Sequence, residues 1–202
     1  MSGKATAKKL TILSAIVSFV SFAYKAGLGF MTMSLVLLIA SLSTFMVFIV
    51  KVAFIKNVTM TREKKKKAYL VMAFAALFYS LIFILFVVLK VSGIDLSNKK
   101  TYDGWLGALL IGFMLVMFIL SVIKLKGALE KTDLMVIGLK EMVFVSALSD
   151  LVIIEEFVSR IVLQYKEVPW MGQFNSYFCL GAGGLMALVS LLMFVRFFKY
   201  EA

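Results

Sequence analysis

Histidine is absent from this chain of 202 residues. Without it there is no commonest general base, no Ser-His-Asp arrangement and no imidazole-based metal site. Cysteine occurs once, at Cys179. A single thiol excludes an internal disulfide and a thiolate zinc cluster, and leaves Cys179 to serve as a small apolar side chain. Proline also occurs once, at Pro169, so almost nothing in the backbone chemistry interrupts long helices. Acidic residues are few, 11 against 22 Lys and Arg. What fills the sequence is hydrocarbon: 62% of residues are apolar, against roughly 45–50% in an ordinary soluble domain. A soluble protein of this size could not hide so much apolar surface, whereas a bilayer can accept it.

Long apolar runs occur at Leu10 to Ala26, Met33 to Ile55, Ala68 to Leu89, Trp105 to Ile123, Glu141 to Leu163 and Phe174 to Phe197. Each is close to the roughly 20 residues that span a bilayer as a helix. The expected class is therefore an all-α polytopic membrane protein, with residues 1–202 forming a single six-helix transmembrane domain and no soluble domain. No small-x-small cleavage site follows the first run, which reads as an uncleaved helix rather than a signal peptide.

Lys and Arg near helix ends are retained in the cytoplasm. Lys4, Lys8 and Lys9, the second loop, Lys124, Lys126 and Lys131, and finally Arg196 and Lys199 put fifteen on one side. Here the second loop contributes Lys51, Lys56, Arg62 and Lys64 to Lys67. The other side holds six: Lys25, Lys90, Lys99, Lys100, Arg160 and Lys166. Six spans with cytoplasmic N and C termini satisfy this count. Trp105 and Trp170, with Tyr102 and Tyr165, then fall at the outer interface, where amphipathic rings sit. The location expected is the cell membrane, specifically a bacterial plasma membrane crossed in multiple passes.

The basic loop at 56–67 would attract anionic lipid or nucleic acid, but lysines directly before a helix also fix topology, and no nucleic-acid partner is expected. Asn57-Val58-Thr59 has the spacing of a glycosylation site and is expected to be inert on the cytoplasmic side. Small residues four apart mark helix contact faces in lipid. Gly104, Ala108 and Gly112 make one such row, and Gly181, Gly183, Gly184 and Ala187 a second patch; packing within the bundle accounts for both more simply than a partner subunit does. No internal repeat points to an inverted-repeat transporter.

An ionisable group near the bilayer centre costs about 2.5–3.5 kcal/mol on the insertion scale and is a functional candidate by default. Asp150 lies at the middle of the fifth run, with Ser146 one turn earlier on the same face. A carboxyl alone at that depth is expected to take up protons readily. Ser41, Ser43 and Thr44 lie at the middle of the second run, and Ser14, Ser18, Ser21 and Lys25 form one stripe on the first. If helices two and five face each other, Asp150, Ser146, Ser43 and Thr44 line a shared polar site for substrate or protons. Glu155, Glu156 and Arg160 are secondary candidates, Glu156 and Arg160 being spaced to pair on one helix face. Lys140 and Glu141 are expected to be solvated at the cytoplasmic mouth.

The segment from Lys25 through Gly29, Thr32 and Ser34 to Leu38, together with Ala147-Leu148-Ser149-Asp150, resembles the corresponding parts of the cation diffusion facilitator transmembrane domain. That family consists of six-helix metal/proton antiporters with cytoplasmic termini, and the resemblance implies the same bundle and a homodimer. Its divalent-cation ligands, two on helix two and two on helix five, would fall on Ser43, Val47, Ser146 and Asp150. Only Asp150 keeps a ligand type of the family. The resemblance thus implies a degenerate relative with metal transport lost or changed, and no metal ligand is assigned.

The function expected is that of a small transporter or permease, moving a cation or small solute coupled to protons through a midplane carboxylate. The alternative is a non-transporting scaffold or regulatory subunit of a partner complex. No histidine, no paired carboxylates at clear spacing on facing helices and no nucleophile motif argue against an enzyme. No cofactor is expected, and the partners expected are the lipid bilayer, a second copy of the chain or another membrane protein.

Overall fold

In the computed structural model, residues 2–56, 61–92, 104–129, 133–165 and 170–199 are described, with side chains over 11–55, 61–92, 109, 111–128, 133–159 and 170–199. The described residues form six helices and no strand: α1 Ser2–Thr32, α2 Leu35–Lys56, α3 Arg62–Val91, α4 Gly104–Leu129, α5 Leu134–Tyr165 and α6 Met171–Lys199. Each expected span lies on one of these helices to within two residues. Five segments are long and apolar enough to cross a membrane: Thr11–Thr32, Leu35–Ile55, Arg62–Val91, Ile111–Ala128 and Met171–Lys199. The α5 helix is as long, but Lys140, Glu141, Asp150, Glu155 and Glu156 interrupt its apolar sequence.

The position of α5 answers its composition. It packs against α2, α3, α4 and α6, whereas α1 packs against α2, and α3 against α6. Charged groups are costly against lipid, so the helix whose charges are spread along its length rather than gathered at its ends lies where protein surrounds it. Its buried side chains run around the whole circumference, including Leu134, Ile137, Met142, Val145, Leu148, Val152 and Phe157. Helices that are buried all round behave in this way. The large exposed side chains, such as Leu13, Phe30, Phe74, Phe78, Leu109, Leu185 and Phe198, lie on the outer helices, as expected of surfaces that meet hydrocarbon.

Two apolar clusters hold the bundle. One joins Val36, Leu37, Tyr79, Phe83, Phe86, Met114, Leu148, Cys179 and Met186. The other joins Val47, Tyr69, Met72, Leu134, Met142 and Met193. Lipid tails are as apolar as leucine, so close packing rather than hydrophobic expulsion makes these contacts favourable. Cys179 is fully buried in the first cluster as a small apolar side chain.

The α1–α2 connection is a tight hairpin. Met33 takes the left-handed conformation, φ 51°, and the Ser34 and Met33 amides donate to the Gly29 and Phe30 carbonyls, the pattern of a Schellman C-cap. The Ser34 hydroxyl then accepts weakly from the Leu37 amide at the start of α2. A Cβ at Gly29 would lie 2.9 Å from the Leu38 side chain, so this glycine lets the two helices approach. Of the two small-residue sets, Gly183 packs against Ile84 and Phe83 of α3 and Ala182 is buried. Gly181, Gly184 and Gly112 meet nothing within 4 Å. Packing inside the bundle therefore explains only part of the α6 patch, while the side chain of Ala108 lies outside the described residues.

Candidate functional site

Polar side chains of α1, α2 and α5 converge, with Thr44 and Asp150 mid-way along their helices and Lys25 toward the C-terminal end of α1. Lys25 comes from the serine stripe of α1, and its ammonium donates to Asp150 Oδ1 on α5 at 2.5 Å and to Thr44 Oγ1 on α2 at 2.8 Å. Lys25 is 2% exposed and Asp150 8%. Burying two charges is favourable only when they meet with good geometry and further hydrogen bonds. The Thr44 hydroxyl supplies one such bond to Lys25, while its own proton goes to the Ala40 carbonyl, a common habit of hydroxyls in membrane helices. Asp150 is thus a paired carboxylate, not the solitary one expected, and Lys25 is a buried core residue instead of an outer-loop charge.

A second lysine shares the space. Lys51 of α2, also buried, donates to the Ser18 hydroxyl at 2.6 Å and the Ser14 carbonyl at 3.1 Å, both on α1. The topology count places Lys51 in a cytoplasmic loop; the structure turns it into the bundle. Lys25, Lys51, Asp150, Thr44, Ser18, Ser21 and Ser146 line one chamber of about 40 Å³, closed by apolar residues such as Val47, Phe113 and Ala147. That is room for roughly three water-sized groups.

Behind the ion pair the hydroxyls form a layer between α2 and α5. Ser43 meets Ser146 at 3.0 Å and Ser149 at 3.1 Å, and Thr44 meets Ser146 at 3.5 Å. Helices two and five do face each other at this depth. Ser146, one turn before Asp150 on the same face, turns to α2. The Tyr79 hydroxyl of α3 is fully buried near Ser43, Ser149 and Asp150 but makes no well-formed hydrogen bond. Ser43, Thr44 and Ser146 thus meet between α2 and α5, and Asp150 joins Thr44 through Lys25.

The secondary candidates lie apart, toward the far end of α5. Glu156 is 3.8 Å from Lys90 of α3, which also donates to Asn175 of α6 at 3.1 Å. Glu155 accepts from Ser159 at 2.5 Å through Oε1, and its Oε2 is buried with no hydrogen bond. The side chain of Arg160, and so the expected Glu156–Arg160 pair, lies outside the described residues. At the opposite end Glu141 is not solvated as expected. It is 3% exposed, paired with Arg196 of α6, and accepts from the Tyr69 hydroxyl of α3 at 2.9 Å.

Sequence reasoning misses Lys25 and Lys51 as site residues. Both carried a usable signal: Lys25 continues the polar stripe of an otherwise apolar helix, and Lys51 is two turns from Thr44 on the same face of α2. It also misses an apolar groove of about 400 Å³ between α1 and α4, walled by Ile16, Val20, Tyr24, Leu109 and Phe113, with Ser21 and Lys25 on its floor. Among the described residues, no three His, Cys, Asp or Glu side chains converge as a metal site would require. Comparison with protein-family models, with curated proteins and with solved structures finds no match to this chain.

Proposed function

We propose that the chain is a six-span membrane protein with cytoplasmic termini that carries a small solute together with protons, the Lys25–Asp150 pair acting as the proton-responsive element. The single observation that carries this reading is the buried ion pair facing a polar chamber at the middle of α5. Five helices suited to the bilayer support the membrane setting. The sixth, α5, crosses inside the protein, where its charges find partners.

The chemistry follows from what surrounds Asp150. Lys25 of α1, Thr44 and Lys51 of α2, Tyr79 of α3 and Ser146 of α5 face it or share its chamber. Protonating Asp150 would remove the charge that holds Lys25 and free the ammonium to change partner, so proton binding and chamber geometry are coupled. The same arrangement speaks against a metal cation as cargo. Zinc-type ions need several deprotonated donors; here the one carboxylate already holds an ammonium, and Ser43, Val47 and Ser146 add no charge. As a degenerate relative of the diffusion facilitators, the protein would keep the helix-two to helix-five pairing and carry a tethered cation where that family carries a metal.

The test is proton movement in proteoliposomes that enclose a pH-sensitive dye, challenged with a panel of small anions and neutral solutes. Wild type is expected to show solute-dependent acidification that Asp150→Asn abolishes. An unchanged signal in that variant removes Asp150 from the mechanism. The scaffold reading is favoured by one observation, the outward-facing Gly181 and Gly184 on α6. Cross-linking of a Gly184→Cys variant in the membrane would reveal a second copy or another helix seated there.

A further inference from the structure

The groove between α1 and α4 adjoins the polar chamber. Val17, Ser21, Lys25 and Phe113 line both. From outside inward, the path changes from hydrocarbon walls, with Val20 and Leu109 more than half exposed, to hydroxyls and ammonium groups. A solute that matched it would be apolar at one end and polar at the other. The dimensions are unequal: about 400 Å³ for the apolar part, within the range of ordinary ligand sites, and about 40 Å³ for the polar part. The polar part admits roughly three non-hydrogen atoms at water-like size, which fits a carboxylate and excludes a glycerophosphate head. The charge points the same way. The chamber holds two ammonium groups against one carboxylate, and Lys51 is held by the neutral oxygens of Ser14 and Ser18.

We propose that groove and chamber form one site for a single-chain amphiphile with an anionic carboxylate head, the head at Ser21 and Lys25 within the field of Lys51, and the tail between α1 and α4. This rests on the reading of the chamber as a solute site and names the solute's class. The ligand would enter sideways from the bilayer, since the groove walls face lipid.

The test uses the whole protein in nanodiscs with cis-parinaric acid, a fluorescent long-chain carboxylate, as probe. Saturable binding of one probe per chain is expected, displaced by palmitate and about tenfold less well by hexadecanol, which keeps the tail and loses the charge-assisted contact. Leu109→Trp, which fills the groove at a lipid-facing position, should abolish binding. Lys51→Met should weaken palmitate and leave hexadecanol unchanged. Equal competition by hexadecanol, displacement by acetate as effective as by palmitate, or undiminished binding to Leu109→Trp would each overturn the proposal. If probe binding fails while Asp150-dependent proton movement persists, the solute class is wrong and the transport reading stands. Binding without any proton movement would retain the site and discard transport.

Discussion

Removing one member of the Lys25–Asp150 pair strands the other without a counter-charge, which costs about 3–5 kcal/mol for buried pairs in general. Lys25→Met is therefore expected to lower the unfolding free energy in mild detergent by about that amount, and the double variant Lys25→Met/Asp150→Leu to recover most of it. A double variant as unstable as the single would mean that the two charges are not energetically coupled. Met33 offers a change of opposite sign. A left-handed backbone costs a non-glycine residue roughly 1–2 kcal/mol, so Met33→Gly should raise the thermal midpoint. The residues of the site differ in how legible they were. Asp150, Ser146, Ser43 and Thr44 stand out because depth within an apolar run needs only counting. Lys25 and Lys51 do not, because lysine in a membrane sequence also marks helix ends, and that use absorbed them into the topology count. Which reading is right depends on whether another helix offers an acceptor, and only tertiary packing decides this.

Among the helices, α5 is the one whose start is chemically best defined. Asp133 accepts from the Met135 amide at 3.0 Å and from Lys65 of α3 at 2.6 Å, an N-cap joined to a salt bridge. Partial burial pushes the Asp133 pKa up, but the Lys65 ammonium and the Met135 and Val136 amides outweigh it and leave the carboxyl below its ordinary value. A carboxyl with a depressed folded pKa contributes stability above its unfolded value, near pH 4, and loses it as pH falls through the folded value. Asp133→Ala should thus cost about 1 kcal/mol at neutral pH, the cap and the partly exposed ion pair together. The deficit against wild type should vanish in unfolding curves taken at acid pH. One turn further on, a methyl at Gly138 would lie 2.7 Å from the ring of Tyr69, which is fully buried and bonded to Glu141. Gly138→Ala should destabilise by about 1–3 kcal/mol through overpacking. Gly127→Ala on α4, where nothing lies within 4 Å, should be neutral or favourable on helix propensity. Composition shows that α5 is a long, charged helix. Its charges call for a covered position, but which helices cover it is not written in its own sequence, since the partners of those charges lie on α1, α3 and α6.

Over the whole molecule, an all-helical architecture follows from apolar content and run length alone, while the packing order depends on which polar groups find one another. The two can be separated in an insertion assay. Placed singly in a host protein, the five apolar segments are expected to integrate into the membrane, and α5 to fail because Asp150 at its centre adds about 2.5–3.5 kcal/mol and Glu155 and Glu156 add a further cost more than a turn away. Efficient insertion of isolated α5 would contradict this account of why it is internal. Topology is checked by labelling cysteines introduced near both termini of a Cys179→Ala variant, with protection from an impermeant reagent in intact cells as the expected result. Among the described residues, α1 packs along α2 and reaches α5 through the Lys25–Asp150 pair, while α4 packs along α5. Each is a cantilever fixed along one edge, and the gap between them is bridged by no direct helix contact. Its width is therefore governed by the stiffness of two independent supports, and a small rotation of either beam would alter the clearance over Lys25 without disturbing the layers that hold α2 to α5.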